Sequence, residues 1–285
     1  MKKTIRHFVC ITLFFFFALC CAGKEPPARI VLDNGELVQV NNRQNTNSAD
    51  MHRKVLRVLA KAEIPASLSR QIEETVSANG VFLSQLMGIL QNDDPYLRIL
   101  VDKNHPLPED YEPDDLMELS YKSYRAGITD VMMLRRKAEA ALEEMAAAAR
   151  TSGLTLTVSS AYRSYEYQIG SFERWTARLG LEQAERVSAR PGRSQHQLGL
   201  AVDFGSISNS FAETTVGKWI AANAAGFGFS LSYPRGYEDI TGYGWESWHY
   251  RYVGRELAAF IDTWFEGIQQ YALRFIHEWE TDFSG

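Results

Sequence analysis

Two textures of hydrophobic and polar positions alternate along the chain. From Leu154 the sequence "LTLTVSS" places Leu154, Leu156 and Val158 at every second position, which predicts a strand with one buried face. "LGLAVDF" and "WHYRYVG" are the other strand candidates. Helical spacing dominates elsewhere. Residues 51–91 carry an apolar stripe at Val55, Leu56, Leu59 and Ala62 that Pro65 breaks. "SLSRQIEETVSANG" then reads as a helix with serine caps stopping at Gly80, and "VFLSQLMGILQN" as a third helix. A long amphipathic helix is expected from Asp130 to Arg150, with Leu134, Ala138, Ala141, Leu142 and Met145 inward.

"SYEYQIGSFERWTARLG" and "TTVGKWIAANAAGFGF" also read as helices, and so does the aromatic stretch "RELAAFIDTWFEGIQQYALRFIHEW" near the C-terminus. Between the first helices and the first strand, "DPYLRILVDKNHPLPEDYEPDDL" is rich in proline and acid and reads as extended chain wrapping over a core. Strands and helices mix without regular βαβ alternation, so the expected class is α+β. No internal repeat is visible.

The N-terminus changes this picture first. Lys2, Lys3 and Arg6 precede "FVCITLFFFFALCCAG", an apolar run with the length of a signal-peptide core and too short for a membrane span. Residues 1–22 are therefore read as an export segment. Cys20 and Cys21 are each placed to be the lipid-modified first residue of a lipoprotein, with free secretion and then an uncleaved anchor as the alternatives. The expected location is the periplasm or cell envelope, with a possible lipid anchor to the membrane. Residues 23–50 follow as a tether, with a hairpin-like "RIVLDNGELVQV" and a polar "NNRQNTNSAD". The remaining chain divides into a helical region at 51–93, a catalytic region at 94–256 and a helical extension at 257–285.

Removing the export segment also changes the chemistry available. All three cysteines, Cys10, Cys20 and Cys21, lie in it, so the mature chain has no thiol nucleophile, disulfide or cysteine metal site. The whole chain carries 30 basic and 35 acidic residues, a formal charge of −5. Loss of Lys2, Lys3 and Arg6 takes the net to −8, a balance that argues against a nucleic-acid partner.

The chemistry-bearing residues gather at strand ends. "SAYRSYEYQ" holds Arg163, "SQHQLGLAVD" holds His196 and Asp203, and "WESWHYRY" holds Glu246 and His249. Two histidines, one carboxylate and a further glutamate suit a catalytic zinc, which takes three protein ligands and keeps a fourth position open. Each residue also has an ordinary reading. A buried histidine can be a hydrogen-bonded core residue, Asp203 a turn cap, Glu246 a solvated strand end, and Arg163 a partner of Glu166. His196 and Asp203 pose a geometric problem as well. A straight strand would part them by about 23 Å, and a helix would leave them about 10 Å apart along its axis. Binding one ion requires a bend at Gln197–Gly199 followed by a strand through Ala201 to Asp203, with Gly199 the place for unusual torsions. The bare face that Gly199 and Ala201 leave beside Asp203 would serve either packing or room around an ion.

"SAYRSYEYQ", "RPGRSQHQLGLAVDF" and "GFGFSLSYPRGYEDITGYGWESWHYRYVG" resemble, in order and spacing, the signature blocks of the VanY-like zinc D-alanyl-D-alanine carboxypeptidases, metallopeptidases of LAS type. The resemblance covers about residues 94–256. It implies a compact α+β fold with zinc in a cleft over a small antiparallel sheet, and peptidoglycan stem peptides as substrates. Carried over by position, His196, Asp203 and His249 would hold Zn2+, Glu246 would be the general base, and Arg163 would hold the developing oxyanion. Ser194 and Gln168 match positions near the substrate. Two departures are visible: Ser247 stands where proline is usual, and Gln195 where glutamate is common. The same fold serves L,D-carboxypeptidases and stem-peptide endopeptidases. A non-catalytic envelope-binding lipoprotein is a further reading, and the intact Glu246 weighs against it.

Overall fold

A computed structural model describes residues 38–120 and 131–282. Residues 47–285 form one compact unit, distinct from residues 1–46. The packing described below is that of the larger unit.

The chain begins with three helices, α1 (Val38–Lys61), α2 (Ala66–Asn79) and α3 (Val81–Leu90). Residues 38–50, read from sequence as tether, are thus helical; the rest of the expected hairpin lies outside the described residues. Pro65 stands immediately before α2 and no serine side chain caps it, contrary to the expectation. Its C-terminal glycine, Gly80, takes the left-handed conformation at φ 65° that ends a helix and lets α3 start at once.

A short ladder follows, β1 (Leu116–Glu118) antiparallel to β2 (Met133–Arg135), which leads directly into α4 (Arg136–Thr151). The expected helix from Asp130 therefore starts only at Arg136. Leu134 is buried as foreseen, but from a strand. Next come β3 (Val158–Ser160), α5 (Tyr165–Leu179), α6 (Leu181–Val187), β4 (Ala201–Phe204), α7 (Thr215–Asn223), β5 (Phe229–Leu231), the single turn α8 (Glu238–Thr241) and β6 (His249–Tyr252). The C-terminal helical stretch is two helices, α9 (Arg255–Trp264) and α10 (Gln269–Thr281). Glu266 and Gly267, both at positive φ, reverse the chain between them.

The central sheet is antiparallel in the order β3-β4-β6-β5. Its register pairs Ala201 with Arg251, Val202 with Tyr250 and Asp203 with His249. Side chains alternate across a sheet, so Val202, Phe204 and Tyr250 enter a core beneath it. There they meet Leu156, Val158 and the inner face of α4: Ala138, Leu142, Met145 and Ala149. Asp203 and His249, direct cross-strand neighbours, project from the opposite face. The class is α+β, as the strand and helix pattern implies.

A second core joins the two ends of the unit. Val55, Leu59, Ile72, Phe82 and Leu86 of the first helices pack against Phe260, Phe275 and Trp279 of the last two and Phe265 between them. Phe82 is central, with its ring centroid 5.1 Å from Phe260, 5.4 Å from Trp264 and 5.5 Å from Phe275. Segments 51–93 and 257–282, far apart in sequence, thus share one apolar interior. Arg251, fully buried on β6, ties the 95–98 turn to the sheet. Its Nη2 donates to the carbonyls of Leu97 at 3.1 Å and Tyr96 at 3.3 Å.

Candidate metal centre

The bend demanded by His196 and Asp203 is present. Gln195–Leu198 form one 3₁₀ turn, and Ser194 caps it by accepting the His196 backbone N–H at 3.3 Å. The turn closes at Gly199 with φ 69° and ψ 19°, after which β4 carries the chain to Asp203. A Cβ at Gly199 would stand 2.9 Å from both Leu116 Cδ2 and Arg135 Cγ. Packing of β1 and β2 therefore accounts for the bare position there, and room for an ion does not.

The turn aims His196 at Asp203, and the sheet register does the same for His249. His196 Nε2 lies 3.3 Å from Asp203 Oδ2, and His249 Nδ1 lies 3.0 Å from Asp203 Oδ1. The rings meet edge to face at 4.8 Å. One donor atom from each of the three residues falls within 4.8 Å of the others, and all three residues are buried. The outward nitrogens are engaged: His196 Nδ1–H donates to the Ala161 carbonyl at 2.6 Å, and His249 Nε2–H to Gln195 Oε1 at 3.3 Å. A neutral imidazole carries one N–H, so with those protons on the outward nitrogens the inward pair would offer lone pairs to an ion. Burial, reinforced by the Arg163 charge, pushes the His196 pKa down to about 4 against the opposing pull of Asp203, so this ring is neutral. Burial alone would raise Asp203, but its contacts with His196 and His249 hold its carboxyl well below the usual range.

Two imidazole nitrogens and a carboxylate converging in a dry place favour positive charge. Arg163 supplies part of it, with Nη2 2.8 Å from Asp203 Oδ2 and 3.0 Å from His196 Nε2. No such cation faces the His249 side among the described residues. Two imidazole nitrogens and one carboxylate are a donor set that zinc takes, and the outward hydrogen bonds orient both rings for it. The residues present fit the ion.

Glu246 completes the cluster, with Oε2 3.7 Å from His249 Nδ1. Burial raises its pKa well above the ordinary carboxylate value, the Asp203 charge adds to this, and Arg163 opposes it. The Tyr233 ring lies 4.8 Å from that of His249. Arg163 pairs with Asp203 and not with Glu166, and its Nε donates to Ser160 Oγ at 2.9 Å. Gln168 is buried behind it, with Oε1 3.5 Å from Arg163 Nη1 and the amide nitrogen donating to the Ala189 carbonyl at 2.7 Å. The polar atoms of Gln168 and Ser194 thus support Arg163 and the His196 turn. Ser247 uses the backbone N–H that a proline would lack, donating to Asn209 Oδ1 at 3.2 Å. Sequence reasoning missed Tyr233 and the role of Gln195. The available signal for Gln195 was its place inside the "SQH" motif; Tyr233 had none.

Fold and site together are those of a carboxypeptidase family. Residues 131–255 match the family model described as VanY, D-alanyl-D-alanine carboxypeptidase. Among relatives, the bifunctional D-Ala-D-Ala dipeptidase and D-Ala-D-Ala carboxypeptidase VanXYC of Enterococcus gallinarum is 30% identical over 165 residues, spanning 54% of this chain and 82% of that protein. YodJ of Bacillus subtilis (strain 168) is 39% identical over 182 residues, 60% of this chain; the chain spans 65% of YodJ's length. The structure resembles that of the LdcB LD-carboxypeptidase, at TM-score 0.55 and 34% identity over 62% of this chain and 89% of that one. It also resembles a mutant of the vancomycin-resistance D,D-pentapeptidase VanY in complex with Zn(II), at TM-score 0.50 and 31% identity over 61% of this chain and 96% of the other. The chain belongs to the VanY family of D-alanyl-D-alanine carboxypeptidases.

Proposed function

We propose that this chain is a zinc-dependent D-alanyl-D-alanine carboxypeptidase that removes the terminal D-alanine from peptidoglycan stem peptides. The observation that carries this reading is the inward pair of imidazole nitrogens, His196 Nε2 and His249 Nδ1, meeting the two oxygens of Asp203 at 3.3 and 3.0 Å. Zinc held by these three residues would supply a Lewis acid that acidifies water and polarises a carbonyl. Glu246, beside His249, accepts the proton of the attacking water and returns it to the nitrogen of the departing D-alanine, so the peptide bond is hydrolysed with no net proton change. Its burial keeps the carboxyl basic enough to take that proton, and zinc in the neighbouring donor set would favour its ionised form. Arg163 presents a guanidinium to the same space and holds the charge developing on the carbonyl oxygen. Ser160 and Gln168 fix its direction.

The likeness to the LdcB LD-carboxypeptidase supports a second reading, an L,D-carboxypeptidase acting on tetrapeptide stems. The two readings differ in product. Purified protein should release D-alanine from a pentapeptide stem under the first and from a tetrapeptide under the second, as chromatography of the products distinguishes. Release from the tetrapeptide alone overturns the first. The Lys- and Arg-led apolar N-terminus supports export, with the mature chain anchored through a lipid on Cys20 or Cys21. Among the described residues no helix is long and apolar enough to cross a membrane. Mass spectrometry of the envelope-bound protein tests the anchor, and an unmodified free N-terminus would contradict it.

A further inference from the structure

We propose that Gln269, the first residue of α10, is a positioning residue of the metal centre that acts on His249 through Gln195. The inference rests on the reading of His196, Asp203 and His249 as zinc ligands, and it involves a helix beyond residues 131–255 that match the family model.

Three buried side chains connect α10 to the site. Gln195 Oε1 accepts from His249 Nε2–H at 3.3 Å and from the Ser232 hydroxyl at 2.7 Å. The Gln195 amide nitrogen donates to Gln269 Oε1 at 3.3 Å, and the Gln269 amide nitrogen donates to the Ser230 carbonyl at 3.2 Å. Gln269 and Gln195 are 1% and 2% exposed, so water does not compete for these groups. Every link has a direction, because a carbonyl oxygen only accepts and an amide nitrogen only donates. The chain starts at a backbone carbonyl of β5, whose hydrogen bonding is fixed. It therefore sets the orientation of Gln269, then of Gln195, then the nitrogen on which His249 carries its proton.

That last step matters to the metal. For Nδ1 to bind an ion beside Asp203, His249 must carry its proton on Nε2, and Gln195 Oε1, 3.3 Å away, is placed to accept it there. A flipped Gln195 amide would present N–H groups to Nε2 and drive the proton onto Nδ1, the atom that must bind the ion. A glutamate at 195, common at this position in the resembling family, would accept from His249 with either oxygen and need no such control. The amide creates the need, and Gln269 with Ser232 meets it.

The neighbouring residue provides a matched control. Gln270 is also buried and also docks α10, but its amide nitrogen donates to Asp102 Oδ2 at 2.7 Å, away from the hydrogen bonds of the relay. Zinc affinity is measured by chelator competition on the full mature chain, together with the melting temperature of the metal-free form. The wild type should bind zinc, Gln269→Leu should bind it about 10- to 100-fold more weakly, and Gln270→Leu should match the wild type even where its melting temperature falls. Gln195→Glu should make the Gln269→Leu substitution nearly silent for zinc. Equal zinc affinities in the two leucine variants would overturn the proposal. Should Gln269→Leu fail to fold, Ser232→Ala decides: weakened zinc binding supports the relay, and unchanged binding overturns it. A wild type that binds no zinc would instead remove the metal reading on which the relay depends.

Discussion

The two histidines of the centre are held by different kinds of structure. His196 sits on a 3₁₀ turn, and its outward nitrogen is fixed by a backbone carbonyl, that of Ala161 just past β3. His249 sits on a strand, and its outward nitrogen is fixed by a side chain, Gln195, itself oriented by others. A backbone acceptor cannot flip and no substitution removes it. A side-chain acceptor can turn over or be replaced. One half of the site is therefore set once the turn forms, whereas the other depends on packing from residues far along the chain.

The comparison breaks most completely when a ligand is removed. His196→Ala and His249→Ala should each abolish stoichiometric zinc binding, measured as metal per chain, because either leaves two donors where three are needed. Full occupancy in either variant would mean that the ligand set is wrong. Glu246→Gln should act differently on both halves at once. It should keep the metal and lower kcat by about 10²- to 10⁴-fold, the range for loss of a general base. Near-normal turnover would remove Glu246 from the proton transfer.

Acid separates the halves further. The folded pKa of His196 is about 4, below its ordinary 6.5. Between these values the unfolded chain binds the proton that the folded metal-free chain excludes, so stability rises with pH through this window and is lost as pH falls through it. The loss is at most about 3 kcal/mol. Glu246, whose pKa is raised, works in the opposite sense above its unfolded value, so the metal-free Glu246→Gln variant should show the steeper slope in urea titrations. A flat profile between pH 4 and 6.5 in that variant would contradict a neutral, buried His196. The smallest effect belongs to the turn itself. Gly199→Ala forces a side chain into φ 69° and against Leu116 and Arg135, and should cost about 1–3 kcal/mol. Thermal melting checks it, and an unchanged melting temperature would mean that the turn relaxes freely.

The same contrast explains what could be read from the sequence. The bend at Gln197–Gly199 was legible because one ion cannot be reached from a straight strand, and because glycine marks a left-handed position. The strand bearing Ser160 was legible from the alternation of "LTLTVSS", which starts at Leu154 although the strand itself starts at Val158, and "LGLAVDF" and "WHYRYVG" were legible as strand candidates. Pairing of Asp203 with His249 was not, since residues 46 positions apart acquire a register only in the folded sheet. Strands β1, β2 and β5 have three residues each, as β3 does, but no alternating run of the kind in "LTLTVSS" was read around them. The start of α1 was misread because "NNRQNTNSAD" is polar on all sides and carries no stripe. Gln269 is one glutamine in an amphipathic helix, and its contact with the site exists only because the two distant helical segments close over a common core.

Metal-dependent cleavage is tested most directly by D-alanine release from a pentapeptide stem by the purified mature chain, with and without a chelator. Release should stop when zinc is stripped and return when zinc is restored at one ion per chain. Release that persists in the stripped protein, or none from protein with zinc fully bound, would contradict it.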